Sequence, residues 1–371
     1  MPSVNVLITG MAGFVGFHLA RRMVEIGHRV LGIDNLNCYY DVRLKLDRLR
    51  QLGITCTEDH GPETITADSG LRFRRLDLTD RTAVVALCAE ERFDVVCHLA
   101  AQAGVRYSLS DPFAYTANNV DGFLSMLEAV RQTPVSHLVY ASSSSVYGLD
   151  RHVPFSESSA ADHPVSLYAA TKRANELMAH SYSHLFGIPS TGLRFFTVYG
   201  PWGRPDMALF SFTRAILNGE PIDLYNHGVM ERDFTFVDDI VEAILRVIDH
   251  PPRGAPDWDG RQSSVSPAPA RVYNVGNGDP VSVLDLVHTL EKALGKKAIV
   301  REVPIQPGDV PRTWADGTAL REELGHTTHT SLTDGVERFV AWYRASQGDI
   351  HSGDASSPIV ARPGSPDNLG Q

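Results

Sequence analysis

Tyr168 and Lys172 stand four residues apart in Ser166-Leu167-Tyr168-Ala169-Ala170-Thr171-Lys172. That spacing puts both on one face if the segment is helical. An ammonium beside a phenol favours the phenolate, so the pair can supply a base near neutral pH. By itself the spacing also suits a solvated helix face, and its setting tips the reading. About one strand–helix unit upstream stands Ala141-Ser142-Ser143-Ser144-Ser145-Val146-Tyr147-Gly148, at the C-terminal end of an apolar run, where open α/β sheets bind ligands. A hydroxyl there, Ser143 above all, can hydrogen-bond an alcohol under oxidation and help pass its proton to Tyr168. The alternative for these serines is a polar turn that caps the following helix.

A second group of residues suits a dinucleotide. Gly10, Gly13 and Gly16 follow the apolar run Val4–Thr9 and open a helical segment that includes Phe14 and Val15. Glycines there permit a tight turn, close approach of backbone to pyrophosphate and close helix–strand packing, while the helix N-terminus offers free N–H groups. The spacing is GxxGxxG, not GxGxxG, and alone it equally suits a turn with packing glycines. Asp34 ends the second strand 18 residues after Gly16, where an acid takes the adenosine ribose hydroxyls and repels a 2′-phosphate, so NAD is expected over NADP. Asn35 and Asn37 follow in the same loop. Asp77 ends a third strand beside Leu78, and either receives the adenine amino group or caps a helix; Asp80 reads as the cap. Leu99, Ala100 and Ala101 leave room for a cofactor across the sheet edge.

These groups need a scaffold, and the hydrophobic pattern supplies one. Val4–Thr9, Arg29–Ile33, Asp94–Leu99, Leu138–Ala141 and Thr191–Phe195 read as buried strands, while Phe14–Ile26, Arg81–Glu90, Asn118–Arg131 and Ser166–Phe186 carry helical spacing. The alternation predicts an α/β fold, a Rossmann-like doubly wound parallel sheet with a smaller mixed α/β substrate-binding domain. The cofactor-binding domain is expected over 1–198, with 232–252 returning to it, and the smaller domain over 199–231 and 271–346. The Pro-, Ser- and Gly-rich stretch 253–270 reads as a flexible insert and 347–371 as a disordered tail.

Composition narrows the class. The chain has 371 residues, 43% of them hydrophobic and 21% charged, and a net charge of −10. These are values of a globular protein, and they argue against a nucleic-acid or anionic-membrane partner. Cys38, Cys56, Cys88 and Cys97 lack CxxC spacing, and the fifteen histidines form no HExxH or HxH cluster, so neither a disulfide framework nor a metal site is expected. With no charged leader at the start and no run of the ~18–20 apolar residues of a membrane span, the expectation is a cytoplasmic protein.

Taken together, the glycine loop, Asp34, the serine run and Tyr168/Lys172 resemble the extended short-chain dehydrogenase/reductase (NAD-dependent epimerase/dehydratase) family of nucleotide-sugar enzymes. Within it, Asp34–Asp41 (DNLNCYYD), His98–Arg106 (HLAAQAGVR), Ala141–Gly148 (ASSSSVYG), Ser166–Lys172 (SLYAATK) and Leu193–Met207 (LRFFTVYGPWGRPDM) resemble UDP-glucuronate 4-epimerases. The resemblance runs from about residue 3 to 345, leaving 253–270 and the tail unmatched. It implies tightly bound NAD, oxidation at C4 of the sugar, turnover of the 4-keto intermediate and return of hydride to its opposite face. Tyr168 would be the base, Lys172 its tuner and holder of the nicotinamide ribose, and Ser143 the relay hydroxyl.

The resemblance also distinguishes substrates. Sugar 4,6-dehydratases place acids in the serine run and UDP-glucuronate decarboxylases a glutamate near its end, where this chain has Ser144 and Ser145. UDP-galactose 4-epimerases usually have asparagine where Thr197 stands. Ser144, Ser145 and Thr197 are therefore assigned to the uronate carboxylate of a UDP-sugar. Arg232 matches the arginine that meets the diphosphate, with a surface ion pair as its alternative. Asp309 matches the acid on the uridine ribose, and Tyr225 is either the ring near uracil or a core aromatic. Asn119 and Arg204 are assigned to the pocket, Arg106 to the pocket or to structure, and His98 to a buried strand end. Gln306 stands where many relatives have arginine. The family implies a homodimer through 118–131 and 166–186. The rival activities are UDP-glucuronate decarboxylase and UDP-glucose/galactose 4-epimerase; the rival of another class is a non-catalytic NAD-sensing protein.

Overall fold

The computed structural model describes residues 3–305 and 308–350. Its strands are β1 (Asn5–Thr9), β2 (Arg29–Asp34), β3 (Thr64–Thr66), β4 (Arg72–Arg75), β5 (Val95–His98), β6 (His137–Ser143), β7 (Ser190–Phe195), β8 (Thr197–Tyr199), β9 (Pro221–Tyr225), β10 (Glu231–Phe236), β11 (Ala270–Val275), β12 (Pro280–Ser282) and β13 (Ile299–Val303). Its helices are α1 (Phe14–Glu25), α2 (Val42–Gln51), α3 (Arg81–Glu91), α4 (Tyr107–Ser110), α5 (Pro112–Tyr115), α6 (Gly122–Gln132), α7 (Leu167–Phe186), α8 (Ala208–Asn218), α9 (Val237–Ile248), α10 (Val283–Leu294), α11 (Thr318–Leu324) and α12 (Leu332–Ile350).

Side-chain alternation along β1 explains the layering. Val6 and Ile8 point into a core shared with Phe17 and Met23 of α1 and Ile240 and Ile244 of α9. Leu7 points the other way, into a core with Val84 and Leu87 of α3 and Phe123, Met126 and Leu127 of α6. A strand apolar on both faces can be buried only between two helical layers. The large sheet runs β11-β7-β6-β5-β1-β2-β4-β3, parallel throughout except for the antiparallel β3–β4 edge. The order turns back at β1, which pairs with β2 on one side and β5 on the other; a ligand cleft is expected at the carboxyl ends there. The doubly wound architecture is therefore as expected.

Domain boundaries differ in detail from the sequence reading. β11 lies in the large sheet, Ala270 opposite Ser190 and Val275 opposite Phe195, although a boundary at 271 would have given it to the smaller unit. Conversely, β10 pairs with β8 and β12 in a separate three-stranded sheet, so of 232–252 it is α9 that packs against the large sheet and α1. Parallel pairing needs a partner strand distant in sequence, which periodicity cannot identify. Segment 253–270 has no helix or strand before Ala270, yet Ala255 N–H donates to Ser266 O (2.8 Å) and the Ser263 hydroxyl to the Glu157 carbonyl (3.0 Å). α12 continues through 347–350, and 351–371 lie outside the described residues.

Candidate active site in the cofactor cleft

A cavity of about 250 Å³ opens where β1, β2, β5 and β6 end. Gly10, Gly13, Phe14, Val15 and Gly16 line it. Gly10 has φ +73°, and a Cβ there would sit 2.8 Å from the Ala100 nitrogen. A Cβ on Gly16 would fall 2.1 Å from the Gly10 carbonyl oxygen, so α1 can lie this close to β1 only with glycine at that position. The N-cap of α1 is Gly13, with no side-chain cap and no acid in the first turn. The first N–H groups are thus left for an anion.

The glycine loop abuts the end of β2, the Gly10 N–H donating to the Ile33 carbonyl at 2.7 Å, and next to it Asp34 is buried, its Oδ1 accepting the Leu36 N–H at 2.8 Å. The buried Lys45 ammonium lies 3.5 Å from the same oxygen and donates to Asn37 Oδ1 at 2.9 Å. Asp34, Asn35, Asn37, Lys45, Leu78, Leu99, Ala100 and Ala101 all line the cavity. Asp77 does not: its carboxylate accepts from Asn35 Nδ2 (2.9 Å), the Thr79 N–H (2.8 Å) and the Thr79 hydroxyl (2.7 Å). Burial pushes its carboxyl up, but those hydrogen bonds outweigh it and leave the group below its ordinary value. Asp77 therefore orders the Asn35 amide, while Asp80 caps α3 through the Ala83 N–H (3.0 Å).

Tyr168, Lys172 and Ser143 line the same cavity. Ser166 caps α7 through the Ala169 N–H (3.1 Å), which sets the helix so that the i, i+4 pair faces the end of β6. The Lys172 ammonium donates to the Ala141 carbonyl at 3.1 Å, and burial lowers its pKa to about 8. Burial raises Tyr168, while a hydrogen bond from Ser143 and the Arg204 charge pull it down. The sequence reading gave the lowering to Lys172; here it comes from Ser143 and from Arg204, which the crossover after β8 carries in from elsewhere in the chain, and burial still leaves the phenol above its ordinary value. Arg204 is held by Asp206 through Nε (3.0 Å) and Nη2 (2.5 Å), and the Tyr39 hydroxyl donates to Asp206 at 3.2 Å.

A second cavity, about 130 Å³, begins at the next residue. Ser144, Ser145, Thr197, Arg232, Asp309 and Thr313 are among its lining residues. Ser143 also caps the short 3₁₀ turn Ser144–Tyr147 by accepting the Ser145 N–H (3.2 Å), so the serine run both turns the chain and faces the cavities. Asp309 pairs with Arg106 at 3.2 Å, and the Arg106 guanidinium lies 4.5 Å over the Tyr225 ring. Tyr225 is thus engaged by Arg106 and does not line the cavity. The Arg232 guanidinium donates to the Glu231 carbonyl (2.9 Å); burial lowers its pKa, with Asp309 opposing. Gln306 lies outside the described residues.

Asn119, assigned to the pocket from the sequence, is placed elsewhere by the fold. Asn119 lines neither cavity: it is buried, its Oδ1 accepts the Gln102 N–H (2.7 Å), and its Nδ2 donates to the Gln102 carbonyl (3.0 Å) and the Thr171 hydroxyl (3.1 Å). The π-helical turn Thr116–Asp121 ahead of α6 turns it inward, and helical periodicity does not anticipate a π turn. Gln102 lines the cleft instead.

Residues 6–276 match the NAD dependent epimerase/dehydratase family. The chain belongs to this family. Similar to it are an uncharacterized 37.6 kDa protein of Escherichia coli O111:H-, 53% identical over 340 residues with 91% of this chain and 98% of the relative covered, and a probable UDP-glucuronate 4-epimerase of Rhizobium meliloti, 47% identical over 350 residues with 93% and 98% covered. Among solved structures, UDP-glucuronic acid 4-epimerase from Bacillus cereus in complex with UDP-glucuronic acid and NAD superposes with a TM-score of 0.78 at 31% identity, over 92% of this chain and 99% of that one. NAD suits the cleft of this family member: Gly10 and Gly16 leave no room for side chains, α1 begins uncapped, and Asp34 lines the same cavity at the end of β2. Lys45, Tyr39, Gln102 and Asp206 escaped sequence analysis. Of these only Lys45 had a local signal, since Asp41 caps α2 through the Arg43 N–H (2.9 Å) and so puts Lys45 on the first turn.

Proposed function

We propose that this enzyme is a UDP-glucuronate 4-epimerase that interconverts UDP-glucuronate and UDP-galacturonate. The observation that carries the reading is the junction at Ser143–Ser144, where the cavity with Tyr168 and Lys172 adjoins one lined by the hydroxyls of Ser144, Ser145 and Thr197. Bound NAD supplies the oxidation at C4 and, after the sugar has turned, the reduction from its other face. Tyr168 takes the C4 hydroxyl proton through or beside Ser143 and returns it at the end. Ser143 and Arg204 limit the rise that burial imposes on the phenol.

A 4-keto uronate is a β-keto acid, which loses CO2 when its carboxylate C–C bond aligns with the carbonyl π system. Neutral hydroxyls at Ser144, Ser145 and Thr197 hold the carboxylate by hydrogen bonds without offering a proton-transfer acid. Arg232 is the diphosphate contact and Asp309 the ribose contact of this reading. Exposed Leu177, Leu185 and Phe186 on α7 support a homodimer through α6 and α7, which light scattering tests. Four free thiols, Cys38 exposed among them, accord with a cytoplasmic location.

The experiment is incubation of purified protein with UDP-glucuronate, without added NAD, followed by anion-exchange chromatography and mass spectrometry. A product of unchanged mass that co-elutes with UDP-galacturonate supports epimerisation with retained cofactor. A product lighter by CO2 would make the enzyme a decarboxylase.

A further inference from the structure

Arg48 of α2 is among the largest fully buried side chains, with 0% of its surface exposed. Its guanidinium has five N–H donors, and all five go to neutral oxygens. Nε and Nη2 donate to the Trp202 carbonyl at 3.1 and 2.7 Å, and Nη2 also reaches the Gly203 carbonyl at 3.3 Å. Nη1 donates to the Ala12 carbonyl at 3.0 Å and the Tyr40 hydroxyl at 2.7 Å. A buried cation normally keeps a carboxylate partner; this one instead joins the glycine loop, the 39–48 segment and the 200–206 crossover.

Its main acceptor is strained. Trp202 has φ +61°, left-handed backbone that a bulky residue adopts only when its surroundings force it. Arg48 grips its carbonyl with two donors. From the other side His18 bonds the Pro201 carbonyl at 2.9 Å, and Phe17 and Trp342 pack on the indole at 5.7 and 5.3 Å. The reversal at Trp202 brings Arg204 and Met207 to the wall of the cofactor cleft, where Arg204 faces Tyr168.

We propose that Arg48 is a positioning residue for this enzyme: it holds Trp202 in the left-handed turn that delivers Arg204 to Tyr168, and through Ala12 it ties that turn to the glycine loop of the cofactor cleft. Loss of the guanidinium then loosens both together, so cofactor retention and the acid–base behaviour of Tyr168 are coupled through a residue that touches neither. The Tyr168 arm rests on the function proposed above; the cofactor arm does not.

The test compares Arg48→Lys and Arg48→Met with the wild-type holoenzyme. Lysine keeps the charge but cannot bond Ala12, Trp202 and Gly203 at once. In both variants NAD release, followed by desalting and by displacement with labelled NAD, is expected to accelerate about 10-fold, the loss of roughly one good charge-assisted hydrogen bond. The acidic limb of kcat for UDP-glucuronate moves to higher pH, with KM changed less than kcat. A purely structural role would lower Tm alone. Folded variants with wild-type NAD release and an unshifted pH limb overturn the proposal.

If no UDP-sugar reacts, the function proposed above fails while the NAD measurement still decides this one. Should neither variant fold, amide exchange of the wild-type holoenzyme decides: the N–H groups of 10–16 and 200–207 are expected to open with one shared rate, and independent opening overturns the linkage.

Discussion

The Lys45 ammonium lies 3.5 Å from the Asp34 carboxylate, both side chains buried at the wall of the cofactor cleft. The acid proposed to repel a 2′-phosphate therefore has beside it a cation that would attract one. Lys45 also donates to Asn37, so the pair braces the loop after β2 as well as setting its charge.

Cofactor choice follows from this pair. Asp34→Asn removes the repulsion and frees Lys45, and NADP affinity should rise relative to NAD by ~10–100-fold, the equivalent of one charge-assisted hydrogen bond. Titration of both dinucleotides into cofactor-stripped protein measures the ratio. An unchanged ratio would show that Lys45 does not reach the 2′ position.

The rate should depend on pH through Tyr168. In the proposed mechanism it acts as the base and must be deprotonated, so kcat is expected to rise with pH through its pKa. Burial raises that pKa, and Ser143 and Arg204 lower it. Ser143→Ala and Arg204→Met should each move the acidic limb to higher pH, whereas Tyr168→Phe should cut kcat by ~10²–10⁴-fold with NAD still bound. Steady-state rates from about pH 7 to about 11, a range that extends past a phenol's ordinary value, check all three.

Product partition tests the proposed contact between these hydroxyls and the uronate carboxylate. Removing one of them, by Ser145→Ala or Thr197→Ala, loosens the uronate while the 4-keto sugar exists. The fraction of product lighter by CO2 should rise several-fold, and mass spectrometry of the nucleotide sugars reads it directly. A partition ratio unchanged in both variants would sink the assignment.

Stability should fall on mild acidification. Burial lowers His18 and His137 to about 4 and His98 to about 3, from 6.5. Between those values the unfolded chain binds protons that the folded chain does not, so stability is full above pH 6.5 and declines as pH drops toward 4. Each histidine contributes up to about 1.4 kcal/mol per pH unit in that window. Urea unfolding at pH 7.5, 6 and 5 (about one point above the window and two inside it) measures the slope, and replacing His137 with Gln should reduce it.

Wherever a conformation needs one residue type locally, this site was legible in the sequence. A strand that runs straight into a close-packed helix requires glycine at 10 and 16, the i, i+4 rule joins Tyr168 to Lys172, and alternating apolar runs mark β1, β2, β5, β6 and β7. None of these depends on what lies far off in the chain. Where distant segments meet, the sequence was silent. Arg48 reaches Trp202 across 154 positions and Arg106 reaches Asp309 across 203; β11 joins β7, not its sequence neighbours. Asn119 looked like a pocket residue until a π turn rotated it into the core. The types and spacing of residues determined which chemistry this chain can do. Tertiary packing alone decided which charges surround it, because a buried charge acts on whatever neighbours the fold brings within a few ångströms, regardless of their distance along the chain.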